Sequence, residues 1–272
     1  MNIINSKVRN PKYTHANNRY FFDVLNFIFA VAVFIICAVA TVLLSYRFCD
    51  GGNVFFSSLG IFSNKTFAEN ENAIKFIIID PGHGGEDGGA VSSSGISEKN
   101  INLNISKYLY DFLKISNVTP ILTRDDDRLL YKDGQENKKK YYDLRNRVDI
   151  ANSYDNAMFI SIHQNKFAIS NYSGFQMYFS KNNPESEKIA SLIQNNVKKM
   201  LQPSNKRLIK KADKKILVLD SLNIPAVLAE CGFLSNENEA WLLTQEDYQK
   251  KIAYTIYISL IDYIDNKNKD VK

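Results

Sequence analysis

The chain of 272 residues contains few of the residues that build metal sites or disulfide frameworks. It has only three histidines and three cysteines. Cys37 lies inside an apolar run and Cys231 follows an apolar, strand-like segment, so no disulfide framework can be predicted. A histidine-based metal site has few candidate ligands. The formal net charge is only +5, and the sequence has no basic helix or aromatic and basic platform, which argues against nucleic-acid binding.

The N-terminal part first lacks acidic residues and then lacks charge altogether. Residues 1–19 are polar and basic, and the segment from Val24 to Tyr46 is apolar almost throughout and uncharged. A segment of this length can cross about 30 Å of hydrocarbon as a helix. The basic residues before it predict a cytoplasmic N-terminus, with the remainder of the chain outside. Residues 20–48 are therefore expected to form an uncleaved transmembrane anchor.

Two other interpretations of residues 20–48 stay open at this point. A cleaved signal peptide would make the protein secreted, but its apolar region is usually only about 7–15 residues long. A buried core helix is the third interpretation, which the uniform apolar run beside a basic terminus disfavours. One of the three histidines, His15, precedes the run and is expected on the other side of the membrane from the rest of the chain.

Shifts in composition predict the domain boundaries. Residues 49–72 are rich in Gly, Ser and Asn and predict a linker. Residues 73–265 are expected to form one domain, which at roughly 200 residues can bury an adequate core by itself. Residues 266–272 form a polar tail that is expected to fray. No internal repeat occurs in the sequence.

Strand-like and helix-like segments alternate within the predicted domain. This alternation predicts an α/β fold, a single domain with a mostly parallel sheet flanked by helices, preceded by the N-terminal transmembrane helix. The charged stretch 125–140 is expected to be a solvated loop, and residues 216–219 fit either a short strand or the start of a helix. Strands are predicted at 75–79, 118–123, 157–162, 175–179 and 224–229, and helices at 99–115, 142–153, 185–201, 238–243 and 246–264.

Two histidines follow predicted strands directly. The first strand, Lys75–Ile79, breaks off into Asp80-Pro81-Gly82-His83-Gly84-Gly85, and His163 follows the third strand. Parallel strands bring their carboxyl ends to one edge of a sheet, where ligands bind. Glu98 opens the helix after the glycine-rich turn and can reach back over that edge. Two histidines and a glutamate are a ligand set typical of catalytic zinc.

Glu230 ends another apolar strand and should reach the same edge. A buried carboxylate is costly unless it is paired or protonated. Beside a water activated by a metal, it could accept the proton and pass it to a leaving amine. Other interpretations stay open: strand-end histidines often cap or pack, Glu98 could be an ordinary first-turn acid, the glycines could form turns or cradle a phosphate, and Glu230 could pair with a lysine.

Several separated segments between residues 74 and 264 resemble one family. The turn at His83, with Glu98-Lys99 after it, resembles the first signature of the zinc-dependent N-acetylmuramoyl-L-alanine amidases (the Amidase_3 family). The other segments that carry the resemblance are Leu122-Thr123-Arg124 with Asp127, Arg145 with Ala151-Asn152, Ser161-Ile162-His163 with Asn165, and the run from Ala229 to Asn236.

The resemblance implies that His83, Glu98 and His163 bind Zn²⁺ and that Glu230 is the catalytic acid/base. It implies peptidoglycan as the substrate, cut between the lactyl group of muramic acid and L-alanine. Many members have alanine where this chain has Gln164. No wall-binding repeats and no long inserted helix that would occlude the site are found.

A minimal catalytic domain behind one anchor resembles the germination-specific, CwlD-type amidases of spore-formers, which prepare cortex peptidoglycan for muramic-δ-lactam formation. This implies a membrane-anchored enzyme whose catalytic domain lies outside the cytoplasm, in the cell envelope or the forespore intermembrane space. The sequence identifies no protein partner. Two other hypotheses stay open: an inactive peptidoglycan-binding or scaffold module, and a zinc deacetylase of wall sugars, whose usual Asp-rich motif is missing.

Overall fold

The computed structural model describes residues 26–41 and 73–269. The chain divides into two units, Met1–Ala68 and Glu69–Lys272. In the first unit, residues 26–41 form helix α1. Among the described residues, no helix has both the length and the apolar character needed to cross a membrane. The predicted basic terminus and linker, and the two ends of the predicted anchor, lie outside the described residues.

The second unit contains the sheet and the remaining described helices. Every strand and helix predicted for this part of the chain is present, with bounds that differ by a few residues. The elements in chain order are β1 (Phe76–Pro81), α2 (Glu98–Leu113), β2 (Thr119–Leu122), a 3-10 turn (Glu136–Lys138), α3 (Lys139–Asn152), β3 (Ala157–Asn165), β4 (Gln176–Phe179), α4 (Glu185–Met200), β5 (Lys210–Lys211), α5 (Leu217–Ser221), β6 (Ala226–Phe233), α6 (Glu237–Thr244) and α7 (Glu246–Lys269).

The sheet has six strands in the order β2-β1-β3-β6-β4-β5. Strands β2, β1, β3 and β6 are parallel to one another. The β4–β6 pair is antiparallel, and β5 runs parallel to β4. The prediction of a mostly parallel sheet is therefore confirmed, and the carboxyl ends of β1, β3 and β6 lie side by side.

Alternate residues of each strand face opposite sides of the sheet, and each side has its own core. Ile77 and Ile79 pack in the larger cluster, which includes side chains of α2, α4 and α7, whereas Ile78 packs in the smaller cluster with side chains of α3 and α5. The isoleucines of β1 from Ile77 to Ile79 are fully buried, and each stabilises the fold by about 1.5–3 kcal/mol. Helices on both faces explain why these strands are apolar runs.

Several details differ from the sequence predictions. Of the two alternatives left open for residues 216–219, the start of a helix is the one found, since Ile216 is the N-cap of α5. Helix α7 continues past Ile264 to Lys269, because no glycine or proline interrupts it and Asn266 donates a hydrogen bond to Asp262 one turn earlier (3.0 Å). Strand β5 was not predicted, since its two exposed lysines show no apolar alternation.

Candidate functional site

The turn after β1 places His83 in an uncommon backbone conformation. His83 has a φ of 62°, in the left-handed region that non-glycine residues rarely adopt. Such strain persists only where surrounding contacts hold the backbone. Here Arg147 Nη2 donates a hydrogen bond to the carbonyl oxygen of His83 (2.8 Å), and the backbone N–H of Gly82 donates to Ile162 on β3 (3.0 Å). The turn is therefore fixed by groups from β3 and α3.

The three predicted metal ligands meet at the carboxyl ends of the strands. His83, Glu98 and His163 each offer one ligand atom, and these atoms lie within 4.8 Å of one another. His83 Nε2 is 3.3 Å from Glu98 Oε2, and His163 Nδ1 is 2.9 Å from Glu98 Oε1. The two imidazole rings meet edge to face with centroids 4.9 Å apart. Among the described residues no other group of three such side chains is placed to hold one metal ion.

Glu98 is held as a carboxylate by a set of donors. Its oxygens accept hydrogen bonds from the backbone N–H groups of Ala90 (2.7 Å) and Gln164 (2.9 Å) and from the side chain of Asn102 (3.2 Å). Burial works to raise the pKa of Glu98, but hydrogen bonds with His163 and His83 hold that pKa far below its usual range. Asn102 also donates to the carbonyl of Gly82 (3.1 Å) and thereby joins α2 to the turn.

Asp87 lies on the other side of the His83 ring. His83 Nδ1 is 3.0 Å from Asp87 Oδ2, although the two atoms lack hydrogen-bond geometry. Burial works to lower the pKa of His83, but the carboxylates of Glu98 and Asp87 together raise it. Asp87 is thus placed to orient the ring electrostatically, as carboxylates beside metal-binding histidines do.

Two glycines leave the space in which these side chains meet. A Cβ atom at Gly82 would come within 2.2 Å of His163 Nε2. A Cβ atom at Gly89 would come within 2.6 Å of Glu98 Oε2 and 2.7 Å of the His83 ring, and Gly89 has a φ of +68°. The glycines after β1 therefore do more than form turns.

Glu230 lies beside His163 on the neighbouring strand. The two residues are paired in register between β3 and β6, so their side chains leave the same face of the sheet, with backbones about 4.8 Å apart. Glu230 Oε2 is buried and has no hydrogen-bond partner among the residues that the structure describes. Burial raises the pKa of Glu230 to about 7, and Glu98 adds to this effect while His163 and His83 oppose it. A pKa near neutrality suits a group that accepts and then returns a proton.

A cavity of 260 Å³ opens between α3 and α5 at this edge of the sheet. His83, His163 and Glu230 line one side of it, and Leu144, Leu219 and Leu228 line another. A larger cavity of 580 Å³ between Tyr172 and Tyr248 contains none of the predicted site residues. The functional site therefore lies in the smaller cavity.

A buried arginine, Arg147, ties the site to the fold. Its guanidinium donates to Asp80 Oδ1 (2.6 Å), Asp143 Oδ2 (2.9 Å) and the carbonyl oxygen of Pro81 (2.8 Å). Burial works to lower the pKa of Arg147, but Asp80 and Asp143 raise it, so it stays charged. The resemblance to the family rests in part on Arg145 of the same helix, which is exposed, whereas Arg147 contacts the turn.

A second buried arginine, Arg124, follows β2 and supports the same turn. Its guanidinium donates to the carbonyl oxygens of Pro81 and Gly82, each at 2.9 Å. Burial lowers the pKa of Arg124 to about 10. Two cations with distant sequence positions thus hold the backbone that presents His83.

The sequence pointed to all four residues that meet here, but not to their supports. The supporting roles of Asn102 and Asp80 were not predicted. For Asn102 a signal existed, because it is a polar residue four positions after Glu98 on an otherwise apolar helix face. Gln164 faces away from the cavity, where its side chain donates to Asn102 Oδ1 (3.1 Å). It therefore supports Glu98 indirectly.

Comparisons with known proteins identify the family of this chain. The family profile for N-acetylmuramoyl-L-alanine amidase, Amidase_3, matches residues 77–262. The germination-specific N-acetylmuramoyl-L-alanine amidase of Bacillus subtilis is 35% identical over 195 residues, which are 71% of this chain and 81% of that protein.

Two solved structures extend the similarity to three dimensions. The CwlD amidase from Clostridioides difficile, solved in complex with the GerS lipoprotein, has 44% identity and a TM-score of 0.67, covering 70% of this chain and 98% of that one. The catalytic domain of CwlV, an amidase from Bacillus (Paenibacillus) polymyxa, has 31% identity and a TM-score of 0.60, covering 70% and 98%. The chain belongs to the Amidase_3 family and is an N-acetylmuramoyl-L-alanine amidase of the CwlD type that acts on peptidoglycan.

Proposed function

We propose that this amidase depends on zinc, that His83, Glu98 and His163 hold the ion, and that Glu230 is the catalytic acid/base. The observation that carries the proposal is the meeting of three ligand atoms within 4.8 Å beside a buried carboxylate oxygen, Glu230 Oε2, without a partner in the described protein. Imidazole nitrogens with one carboxylate suit zinc, whereas Ca²⁺ and Mg²⁺ prefer oxygen ligands alone. Three protein ligands leave one position open, as catalytic zinc sites do.

The residues of the site then divide the work of amide hydrolysis. When bound, zinc supplies a Lewis acid that polarises the amide carbonyl and makes water more acidic. Glu230 accepts the proton of the attacking water as the carbon–oxygen bond forms. The same carboxyl group then donates this proton to the amide nitrogen as the carbon–nitrogen bond breaks, which releases the peptide amine and leaves the lactyl carboxylate. Asp87 keeps the His83 ring oriented.

Replacing Glu230 with glutamine tests this division of roles. We expect Glu230→Gln to lower kcat at least about a hundredfold, because general acid/base groups typically contribute 10²–10⁴-fold, while zinc content stays near one ion per chain. The measurements are zinc by mass spectrometry of the purified full chain and release of peptide from peptidoglycan. The matched control is Glu237→Gln, an exposed glutamate on α6, which should leave both unchanged. Full activity in Glu230→Gln would contradict the assignment.

The zinc ligands have a separate test. His163→Ala should lose both zinc and activity, whereas His15→Ala should keep both. Zinc at one ion per chain also separates an active enzyme from the alternative of a scaffold module with a relict site. A chain that binds no zinc and releases no peptide would favour the scaffold.

We further propose that residues 20–48 anchor the enzyme in the cytoplasmic membrane, with the catalytic domain outside the cytoplasm. The uncharged apolar run from Val24 to Tyr46 behind a basic terminus supports this proposal. Membrane fractionation combined with protease accessibility in intact cells tests it. A chain found in the soluble fraction without its first residues would instead indicate a cleaved segment and a secreted enzyme.

We also propose a role in maturation of the spore cortex, where removal of the peptide precedes muramic-δ-lactam formation. The similarity to a germination-specific amidase supports this role. The CwlD neighbour was solved with a lipoprotein, so we propose a lipoprotein partner for this chain as well. Muramic-δ-lactam in the cortex of spores from a deletion strain is the deciding measurement, and its normal presence would contradict the role.

A further inference from the structure

The active-site cavity is asymmetric in its chemistry. Leucine side chains line part of it, and buried polar residues such as Arg147 line another part. Two exposed lysines, Lys140 and Lys215, also line it. At 260 Å³ it is smaller than most pockets for drug-sized ligands, which span about 300–1,000 Å³. It can therefore admit only a short portion of a polymeric substrate.

The lysine at residue 215 differs from the other cations around the site. Lys140 Nζ is 3.4 Å from Asp87 Oδ2, and Lys166 Nζ donates to the carbonyl of Val91 (2.7 Å). The ammonium of Lys215, by contrast, makes no hydrogen bond or ion pair within the part of the chain that the structure describes. It is a cation that faces the substrate cavity without a protein anion.

The peptide side of the scissile bond fits this cavity better than the glycan side. A glycan strand continues in both directions and is polar, so it needs an open surface and not a short recess. L-alanine carries one methyl group, which matches the leucine side chains. The next residue of the stem peptide is acidic or amidated, and one residue extends at most about 3.6 Å along the chain. Its carboxylate would therefore lie within one residue's length of the alanine, in a cavity whose lining includes Lys140 and Lys215.

We infer that Lys215 binds the free α-carboxylate of the second stem-peptide residue, so that the enzyme prefers glutamate to isoglutamine at that position. The inference rests on the proposed function, because it requires that the scissile amide lies at Glu230. The ammonium forms a charge-assisted hydrogen bond with a carboxylate, which is roughly twice as strong as a bond between neutral groups. The carboxamide of isoglutamine is neutral, so it cannot form a charge-assisted bond with the Lys215 ammonium.

The test compares two synthetic N-acetylmuramoyl tripeptides that differ only in carboxylate or carboxamide at the second residue. The zinc-loaded full chain should cleave the carboxylate substrate with kcat/KM roughly tenfold higher, mainly through KM. Lys215→Gln should lose this preference by becoming slower on the carboxylate substrate alone. Lys215→Arg should keep most of the preference for the carboxylate substrate. Raising the salt concentration should reduce this preference in the unmodified enzyme.

The matched control is Lys214→Gln, the neighbouring exposed lysine, which does not line the cavity. It should keep the full preference. Equal cleavage of both substrates by the unmodified enzyme would overturn the inference while leaving the proposed function intact. Equal loss on both substrates in Lys215→Gln would also overturn it. Cleavage of neither substrate by the unmodified enzyme would contradict the proposed function, and the inference with it.

Discussion

At the scale of single residues, the site depends on two glycines, whose lack of a side chain leaves room for the residues proposed to react. Gly82 and Gly89 lie so close to His163, Glu98 and His83 that a methyl group at either position would overlap them. A sequence pattern shows a glycine-rich turn but not which glycine lies against which side chain of the site. That distinction requires the packing of β1 against α2 and β3.

Gly89→Ala tests this close approach. The added methyl group would meet Glu98 Oε2 at 2.6 Å, so we expect zinc affinity and activity to fall at least about tenfold, the range seen when groups that orient metal ligands are altered. Zinc affinity is measured by competition with a chelator. The control is Gly95→Ala, which has a similar φ of +82° but no atom within 4 Å of the added Cβ. Equal loss in the two variants would show that backbone strain, and not contact with the ligands, is responsible.

At the scale of elements, the fold could be predicted in outline because its strands are apolar runs and its helices have apolar faces. The β-branched run at Ile77–Ile79 predicted a strand covered on both sides, and His83, His163 and Glu230 could be placed at one edge because parallel strands share that edge. The network that supports the edge could not be predicted. It joins Asp80, Ser161 and Arg147, which are distant in sequence, and only the register of β1 with β3 brings Asp80 beside Ser161.

Arg147→Met should destabilise the protein strongly. The change leaves the buried carboxylates of Asp80 and Asp143 without their cation, and breaking a buried pair in this way typically costs about 3–5 kcal/mol. The free energy of unfolding is measured in urea on metal-free protein. Arg145→Met, on the exposed face of the same helix, should change it by less than about 0.5 kcal/mol. A small effect in both variants would mean that the network contributes little to stability.

The same network predicts a dependence of stability on acid. Burial works to raise the pKa of Asp80, but Arg147, Thr123 and Ser161 hold it below the ordinary value of 3.8. A group whose pKa is lower in the folded state stabilises the fold above its unfolded pKa, and this contribution is lost as the pH falls through the folded pKa. The stability difference between the unmodified protein and Asp80→Asn should therefore be constant from pH 6 to about pH 5 and shrink below about pH 4. A difference that does not change down to pH 2 would contradict the lowered pKa.

At the scale of the whole molecule, the four residues proposed to bind zinc and transfer protons lie at one edge of the sheet, and the rest of the domain fixes their positions. The three proposed metal ligands lie on β3, on the turn after β1 and in the first turn of α2, and the proposed acid/base group lies on β6. All four were predictable, because each follows or opens an element with a clear pattern. The short strand β5, the shape of the cavity and the free lysine beside it were not, since they depend on how loops pack against the finished sheet.

The central claim is that one zinc ion is shared by two imidazoles and one carboxylate from distant parts of the chain. Anomalous diffraction at the zinc absorption edge, from crystals of the metal-loaded protein, tests it most directly. The account predicts a single strong peak about 2.0–2.2 Å from one nitrogen each of His83 and His163 and from an oxygen of Glu98, with Glu230 close by but not ligating. A peak at other residues, or none at this edge of the sheet, would contradict it.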